Sequence, residues 1–503
     1  MKKSIKIYIP VALMILGASC SKNYFNINDN PNAATNTTPE LVLPNALKVT
    51  VVTQLTGYTY LCGWMGYWAP SGSYAISASD VASYKQTNDT YSGSWTTFYR
   101  NLEDYDYIER SARSQNKPFY IGAAKIMKAF VFQQLVDLYN DVPYSDALKG
   151  TTSITPKYDK GQAVYEAIAL QLDSGVLNMQ NPSATSTANS DILFGGNTAS
   201  WIALANTLKL RIAMRQTAMN GRDAYIKDQI AITIANGGGF LTADATVNPG
   251  YAGSTGQQSP VWGYFVTLTG NPTSGGQADY WRAAQYSISF LVNNNDIRYQ
   301  FIYSASSDAN HPYIGDVLGS LTNIPGTGSS SIGPGILKSV SQPAVLVSLA
   351  ESYFLQAEAN LRGWLGNAGD DDTNFVNGVR ASFEYLNASN PGSTPDQSAA
   401  DLVAQSANKN TNYLACTNFN EKLACIIRQK WVAMNTITPF EAWSDYRRLA
   451  LPADIPISVS PYKDGPNIPV RVLYPTSEYT TNAANVKAEG VIDGHTSKVF
   501  WMP

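Results

Sequence analysis

Few side chains in this 503-residue sequence are set out for covalent chemistry. There are two histidines, His311 ahead of Pro312 in a polar stretch and His495 in an Asp-Gly-His turn. They are too few for a multi-histidine metal centre and badly placed for a histidine acid–base pair. No phosphate-cradling glycine loop, nucleophile elbow or zincin helix occurs. Glycoside hydrolysis needs only two carboxylates about 5–10 Å apart, and the 38 acidic residues leave that chemistry open. The densest acidic run, Asp370-Asp371-Asp372, falls where a helix pair should turn. It reads as a helix N-terminus or solvated turn, with a structural Ca²⁺ as the alternative; no cofactor is expected. Cys416 and Cys425 fit no common metal spacing. With Cys62 they read as buried free thiols, or as a Cys416–Cys425 disulfide in an oxidising compartment.

What the chain has in abundance is aromatic surface: 31 Tyr, 16 Phe and 10 Trp. Tyr suits half-wet surfaces, apolar in body and polar at the tip. Charged residues make up 15% of the chain, against about 25% in ordinary globular proteins, and the net charge is −3. A nucleic-acid partner would require a basic stripe for the phosphates, so none is expected.

The N-terminus defines the compartment. Lys2, Lys3 and Lys6 precede an apolar run from Ile7 to Leu16, followed by Gly17-Ala18-Ser19-Cys20. The run is too short to span a bilayer and reads as a signal-peptide core. Small residues before a cysteine resemble the lipobox of bacterial lipoproteins, although Gly17 stands where Leu is preferred. Residues 1–19 are therefore expected to be removed and Cys20 acylated, which anchors the chain in a membrane. Ser21 in place of Asp points to the outer membrane. No acidic residue follows Cys20 directly, so the leaflet stays open. Residues 20–40 form an Asn/Thr/Pro-rich tether.

Beyond it, apolar periodicity predicts a predominantly α-helical body with minor β structure. Leu43–Trp68 reads as one helix or two. Further helices follow at Trp95–Ala112, Tyr120–Tyr139, Val164–Leu177, Trp201–Met214 and Ala224–Ile234. The series resumes at Leu346–Leu361, Phe375–Tyr385, Leu423–Met434 and Phe440–Leu449. Paired helices of this length suggest tetratricopeptide-type packing. One domain over 41–503 is expected, with helical scaffold at about 41–235 and 341–450. Long irregular, loop-rich insertions occupy about 237–340 and 386–420, and loops of that length tend to be functional.

Four blocks resemble the SusD/RagB family of nutrient-binding outer-membrane lipoproteins, particularly its divergent second branch. They are Asn28-Asp29-Asn30-Pro31-Asn32-Ala33; Gln134 to Ala147, with Asp137, Asn140-Asp141-Val142-Pro143 and Tyr144; Trp201 to Arg215, joined by Ala357 to Trp364; and Arg428-Gln429-Lys430-Trp431, Glu441 to Arg448 and Ile468 to Pro475. They run in family order across nearly the whole mature chain. Their physical reading is scaffold. Lys209, Arg211 and Arg215 should brace carboxylates, Trp443 and Arg447 should stack, and Asp445 should pair with Arg448. The family prefers Gly where Asn140 and Ala450 stand. Asn tolerates the left-handed turn, whereas Ala450 predicts a less sharply stopped helix.

The resemblance implies a non-enzymatic lid on a SusC-like TonB-dependent transporter, delivering oligosaccharide or peptide. Sugar binding calls for aromatic faces flanked by hydroxyl-bonding groups. Two stretches offer them: Trp68, Ser71, Ser73, Tyr74, Tyr84, Gln86, Asn88 and Tyr91; and Gln257, Gln258, Trp262, Tyr264, Phe265, Asn271, Gln277, Tyr280 and Trp281. Trp68, Tyr74, Tyr84, Trp262, Tyr264 and Trp281 are the predicted ligand contacts, while Trp64, Tyr67 and Trp95 have core spacing. The rival readings are an outer-membrane glycoside hydrolase and a purely structural lipoprotein.

Overall fold

A stripe of apolar residues every three or four positions makes a helix whose stability comes from burying that stripe. The computed structural model, which describes residues 37–74, 78–272 and 276–503, is built on this rule. The N-terminal half contains α1 (Pro39–Gly57), α2 (Thr59–Trp64), α3 (Asp80–Ser83), α4 (Gly93–Ser114), α5 (Pro118–Tyr139), α6 (Gly161–Met179), α7 (Thr198–Arg215) and α8 (Asp223–Ala235). Short helices α9 (Pro260–Phe265), α10 (Gln277–Tyr280), α11 (Gln285–Asn293) and α12 (Tyr299–Ile302) lie in the first loop-rich insertion. Then come α13 (Leu349–Leu361), α14 (Asp370–Leu386), α15 (Pro395–Val403), α16 (Phe419–Met434), α17 (Pro439–Leu449), α18 (Thr476–Thr481) and α19 (Ala483–Ala488). The fold is predominantly α-helical with minor β structure, as expected. The expected signal segment 1–19, the expected lipidation site Cys20, the block Asn28–Ala33 and most of the expected tether lie outside the described residues.

Successive helices pack on their chain neighbours: α4 on α5, α5 on α6, α6 on α7, and α7 on α8. In a second group α13 packs on α14 and α14 on α15, while α16 returns to lie against α13 and α14. The central helix α5 starts with Pro118 at its first position and buries nearly every residue. It stops at Asn140, whose φ of 70° is the left-handed turn that Asn tolerates. Ala450 also adopts φ 53° and closes α17 by bonding its N–H to Tyr446 O. The expected blunt end is therefore absent; Ala takes a conformation that costs an L-residue about 1–2 kcal/mol. Asp370, Asp371 and Asp372 form the first turn of α14, where carboxylates meet the positive end of the helix dipole. Pro39–Pro503 makes one compact unit.

The basic side chains of the family-like blocks are braces. Lys209 reaches Asp173 at 2.6 Å, and Arg211 holds Glu351 by two bonds of 2.7 and 2.9 Å. Arg215 lies 2.7 Å from Glu441 and 3.3 Å from Asp137. Arg448 forks onto Glu358 at 2.6 and 2.7 Å and reaches Asp445 at 2.8 Å, while Lys430 closes on Asp445 at 2.8 Å. The Arg447 guanidinium sits 3.3 Å from the centre of the Trp443 ring. Burial alone would raise Glu441, but Arg211, Arg215 and Lys430 outweigh it and hold the carboxyl below its usual range. Asp137 is pushed up, because burial exceeds the pull of Arg215 and Arg447.

The strands are short. Among the described residues they form antiparallel pairs, β1 (Trp68–Pro70) with β5 (Trp281–Ala283), β2 (Val142–Pro143) with β3 (Tyr158–Asp159), β4 (Ala245–Val247) with β8 (Ala344–Val347), and β6 (Tyr303–Ser304) with β7 (Ser331–Ile332). The first pair positions the site.

Candidate functional site

Register places Trp68 opposite Ala283 and Pro70 opposite Trp281, so the two aromatic-rich stretches of the sequence meet edge to edge. Ser71 N–H continues the pairing by donating to Tyr280 O at 2.8 Å. Two glycines permit this approach. A Cβ at Gly63 in α2 would stand 2.9 Å from Val81 and 3.5 Å from the Trp281 ring. A Cβ at Gly72 would stand 1.9 Å from Asn323 O, where the chain lies against a second loop. That loop is fastened by Gly326 N–H to Ser73 Oγ at 2.9 Å and Asn323 Nδ2 to Pro70 O at 2.9 Å.

Beside this junction lies an open hollow of about 500 Å³. The end of α1 and the start of α2 supply Thr56, Thr59 and Tyr60; α3 supplies Asp80; Tyr91 enters from the loop before α4; α10 and β5 add Gln277, Tyr280 and Trp281. Its rings are fixed by one another. Tyr60 stacks on Tyr91 with centroids 3.7 Å apart and planes at 17°, and Trp64 meets both edge-on. Tyr280 meets Trp281 edge-on at 5.0 Å, and Tyr74 meets Tyr280 at 5.3 Å. The Tyr264 hydroxyl lies 3.1 Å from Thr59 Oγ1 at the margin. Tyr91 has φ 61°, a left-handed conformation rare for an aromatic residue. Its hydroxyl is buried without a hydrogen-bond partner.

Burial pushes the Tyr91 and Tyr280 phenols upward and the nearby Asp80 carboxylate adds to it; a Ser79 hydrogen bond partly offsets this at Tyr280. Both stay neutral hydrogen-bonding groups at physiological pH. Among the described lining residues Asp80 is the one carboxylate. The pair of carboxylates that glycoside hydrolysis requires is therefore not assembled in this hollow. What the arrangement can do is bind: ring faces for the apolar sides of a sugar, with hydroxyls, an amide and a carboxylate for its hydroxyls.

The predicted contacts divide. Trp281, 6% exposed, lies at the base of the hollow. Tyr74 and Tyr264 flank it through Tyr280 and Thr59. Trp262 is half-buried, its indole N–H spent on Thr267 O at 2.9 Å. Trp68 and Tyr84 are buried and do not line the hollow. Trp68 is 2% exposed, packs on Phe265 and donates to Thr436 Oγ1 at 2.8 Å. Tyr84 is fully buried, and its hydroxyl accepts the Ser458 N–H at 2.7 Å. Neither ring has a face left for a ligand. Gln86 and Asn88 are likewise occupied, donating to Arg471 O and Tyr474 O of the C-terminal segment. Sequence reasoning missed Tyr60 and Asp80. Tyr60 carries helix spacing and looks like core, and Asp80 has no neighbouring acid to mark it. Trp64, Tyr67 and Trp95 are core, as expected. Cys62, Cys416 and Cys425 are buried free thiols.

Known proteins resemble this chain in sequence and in fold. The family model described as SusD-like, "Starch-binding associating with outer membrane", matches residues 31–475. No curated protein sequence matches. Among solved structures, one described as a chitin-binding protein is 25% identical, with 93% of this chain and 100% of that chain covered and a TM-score of 0.74. A chitin-binding SusD homolog from Flavobacterium johnsoniae is 22% identical, with 91% and 98% covered and a TM-score of 0.74. A SusD homolog from Bacteroides fragilis is 21% identical, with 93% and 98% covered and a TM-score of 0.72.

Proposed function

The chain belongs to the SusD-like family of outer-membrane nutrient-binding proteins, and from that premise we propose that it is a surface lipoprotein delivering oligosaccharide to a SusC-like TonB-dependent transporter. Residues 1–19 are the export signal, Cys20 carries the lipid, 20–40 are the tether, and 41–503 form the binding domain. Ligand occupies the hollow beside β1 and β5, with Tyr60, Tyr91, Tyr280 and Trp281 as ring contacts and Tyr74 and Tyr264 at the margin. Trp262 contributes by holding the turn after α9.

The observation that carries this reading is the pair of interlocked aromatic groups, Tyr60–Tyr91 and Tyr280–Trp281, around one open hollow. Rigid ring faces at a polar rim suit pyranose rings. Two similar structures are described as chitin-binding, which favours glycan over peptide cargo. The family's generally non-catalytic character and the single carboxylate of the hollow favour binding over hydrolysis.

Purification of the C-terminally tagged lipoprotein from outer membranes in mild detergent tests the partner, and calorimetry with chitin oligosaccharides tests the hollow. A TonB-dependent barrel in equal amount is expected, together with binding that Tyr60→Ala and Tyr280→Ala each weaken. A lipoprotein free of any barrel would overturn the lid assignment. Binding untouched by both substitutions would move the site elsewhere.

A further inference from the structure

The hollow has a charge of one sign. Among its described lining residues there is no Lys, Arg or His, and its single ionisable carboxylate is Asp80. Asp80 is exposed, at the start of α3, and among the described residues no ion pair or hydrogen bond engages its carboxylate. It differs in this from the carboxylates of the scaffold. Asp137, Glu351, Glu358, Glu441 and Asp445 each face an arginine within 3.3 Å. Asp80 lines the same hollow as Tyr91 and Tyr280, and its charge pushes both phenols further upward.

A carboxylate without a cation, set among tyrosine faces, is the arrangement that recognises a positively charged nitrogen. The carboxylate offers a charge-assisted hydrogen bond, about twice as strong as a neutral one. The ring faces add attraction for the same cation. Resting on the glycan reading of this hollow, we propose that the site selects glycans carrying free amino groups, as in partly deacetylated chitin, with Asp80 binding the ammonium and Tyr91 and Tyr280 walling it in. The same field disfavours acidic glycans, since a uronate or sulfate would meet Asp80 with no cation to offset it.

Tetramers of β-1,4-linked glucosamine, N-acetylglucosamine and glucose share one backbone and differ only at C2. Calorimetry of all three at pH 6 and low salt, on the wild-type protein and on Asp80→Asn, tests the proposal. The glucosamine tetramer is expected to bind about three- to thirtyfold more tightly than the glucose tetramer. Asp80→Asn should erase that preference while the neutral tetramers change far less. Raising the salt should shrink it as well. Equal affinities for amine and glucose tetramers would overturn the proposal and leave the glycan reading standing, as would a preference that survives Asp80→Asn. If none of the three binds to folded protein, the hollow is not a glycan site and both readings fall.

Discussion

Arg448 is where the scaffold concentrates its electrostatic cost. The side chain is 1% exposed and serves two carboxylates, with both Glu358 oxygens at 2.6 and 2.7 Å and Asp445 Oδ1 at 2.8 Å. Burial would raise both acids, but Arg448 helps hold Glu358 and Asp445 below their usual range. Replacing it in Arg448→Met leaves each carboxylate one cation, Arg362 for Glu358 and Lys430 for Asp445. Breaking a buried pair costs about 3–5 kcal/mol, and the retained partners put this case near the lower end, about 3 kcal/mol. At about 2.1 cal/mol/K per residue, a 503-residue chain releases roughly 1 kcal/mol per kelvin at its midpoint. Tm measured by circular dichroism at pH 7 should therefore fall by about 3 °C. The pH dependence follows from the direction of the shifts. A depressed carboxyl contributes stability above its unfolded value and loses it as pH falls through the folded one. The wild type should thus lose stability below about pH 4.5. Arg448→Met, whose two acids are less depressed, should lose less, so the gap narrows on acidification. Adding Glu358→Leu removes one of the two buried carboxylates that have lost Arg448 and should recover about 1 kcal/mol. A single variant melting with the wild type, or a gap that is the same at pH 7 and pH 4, would refute the reasoning.

Three further outcomes are expected. Tyr91→Phe removes a hydroxyl that has no partner in the free protein, so stability should stay within about 0.5 kcal/mol. If that hydroxyl serves the ligand, calorimetry with chitin oligosaccharides should show affinity falling about two- to tenfold. Gly72→Ala drives a methyl into Asn323 O and must part the two loops. It should cost about 1–3 kcal/mol in denaturant titration and weaken ligand binding by shifting Tyr74 off Tyr280. Cys62 is buried and burial pushes its thiol upward. Mass spectrometry after iodoacetamide treatment should find it unmodified in the folded protein and modified once unfolded.

The helices were legible because their signal is local. Val164, Ile168, Leu172 and Val176 recur every fourth residue, and all four are at most 1% exposed in α6. The braces were legible too, because Lys209, Arg211 and Arg215 lie on a helix whose other face, Trp201, Leu204, Ala205, Leu208 and Ile212, is apolar. The site was half legible. Composition located the two stretches that meet, but three-residue strands carry no period that would show β1 pairing with β5. Exposure was the harder quantity, because distant partners decide it. Trp68 is claimed by Thr436, 368 residues later, and Tyr84 by Ser458, 374 residues later. Tyr84 looks like a ligand contact until the C-terminal segment covers it, and Trp68 until the turn after α16 does. Tyr60 errs in the other direction, a helix residue with core spacing whose ring borders a hollow.

The same C-terminal segment explains why the rings of the hollow stand ready. The loop from Tyr84 to Tyr91 has an aromatic residue in the left-handed conformation at each end, with φ 58° and 61°. Each costs about 1–2 kcal/mol, so each needs contacts that hold it. Tyr84 is held by Ser458, and Gln86 and Asn88 by Arg471 and Tyr474. Tyr91 is held by its stack on Tyr60. The strain is thus carried by the folded scaffold, and an arriving ligand meets a ring already in position. Such preorganisation removes the ordering cost from binding. The openness of the hollow works the other way, because an open surface buries little of the ligand and limits affinity. A site that is rigid but open captures quickly and holds loosely, and the proposed hand-over of cargo to a transporter would require both properties.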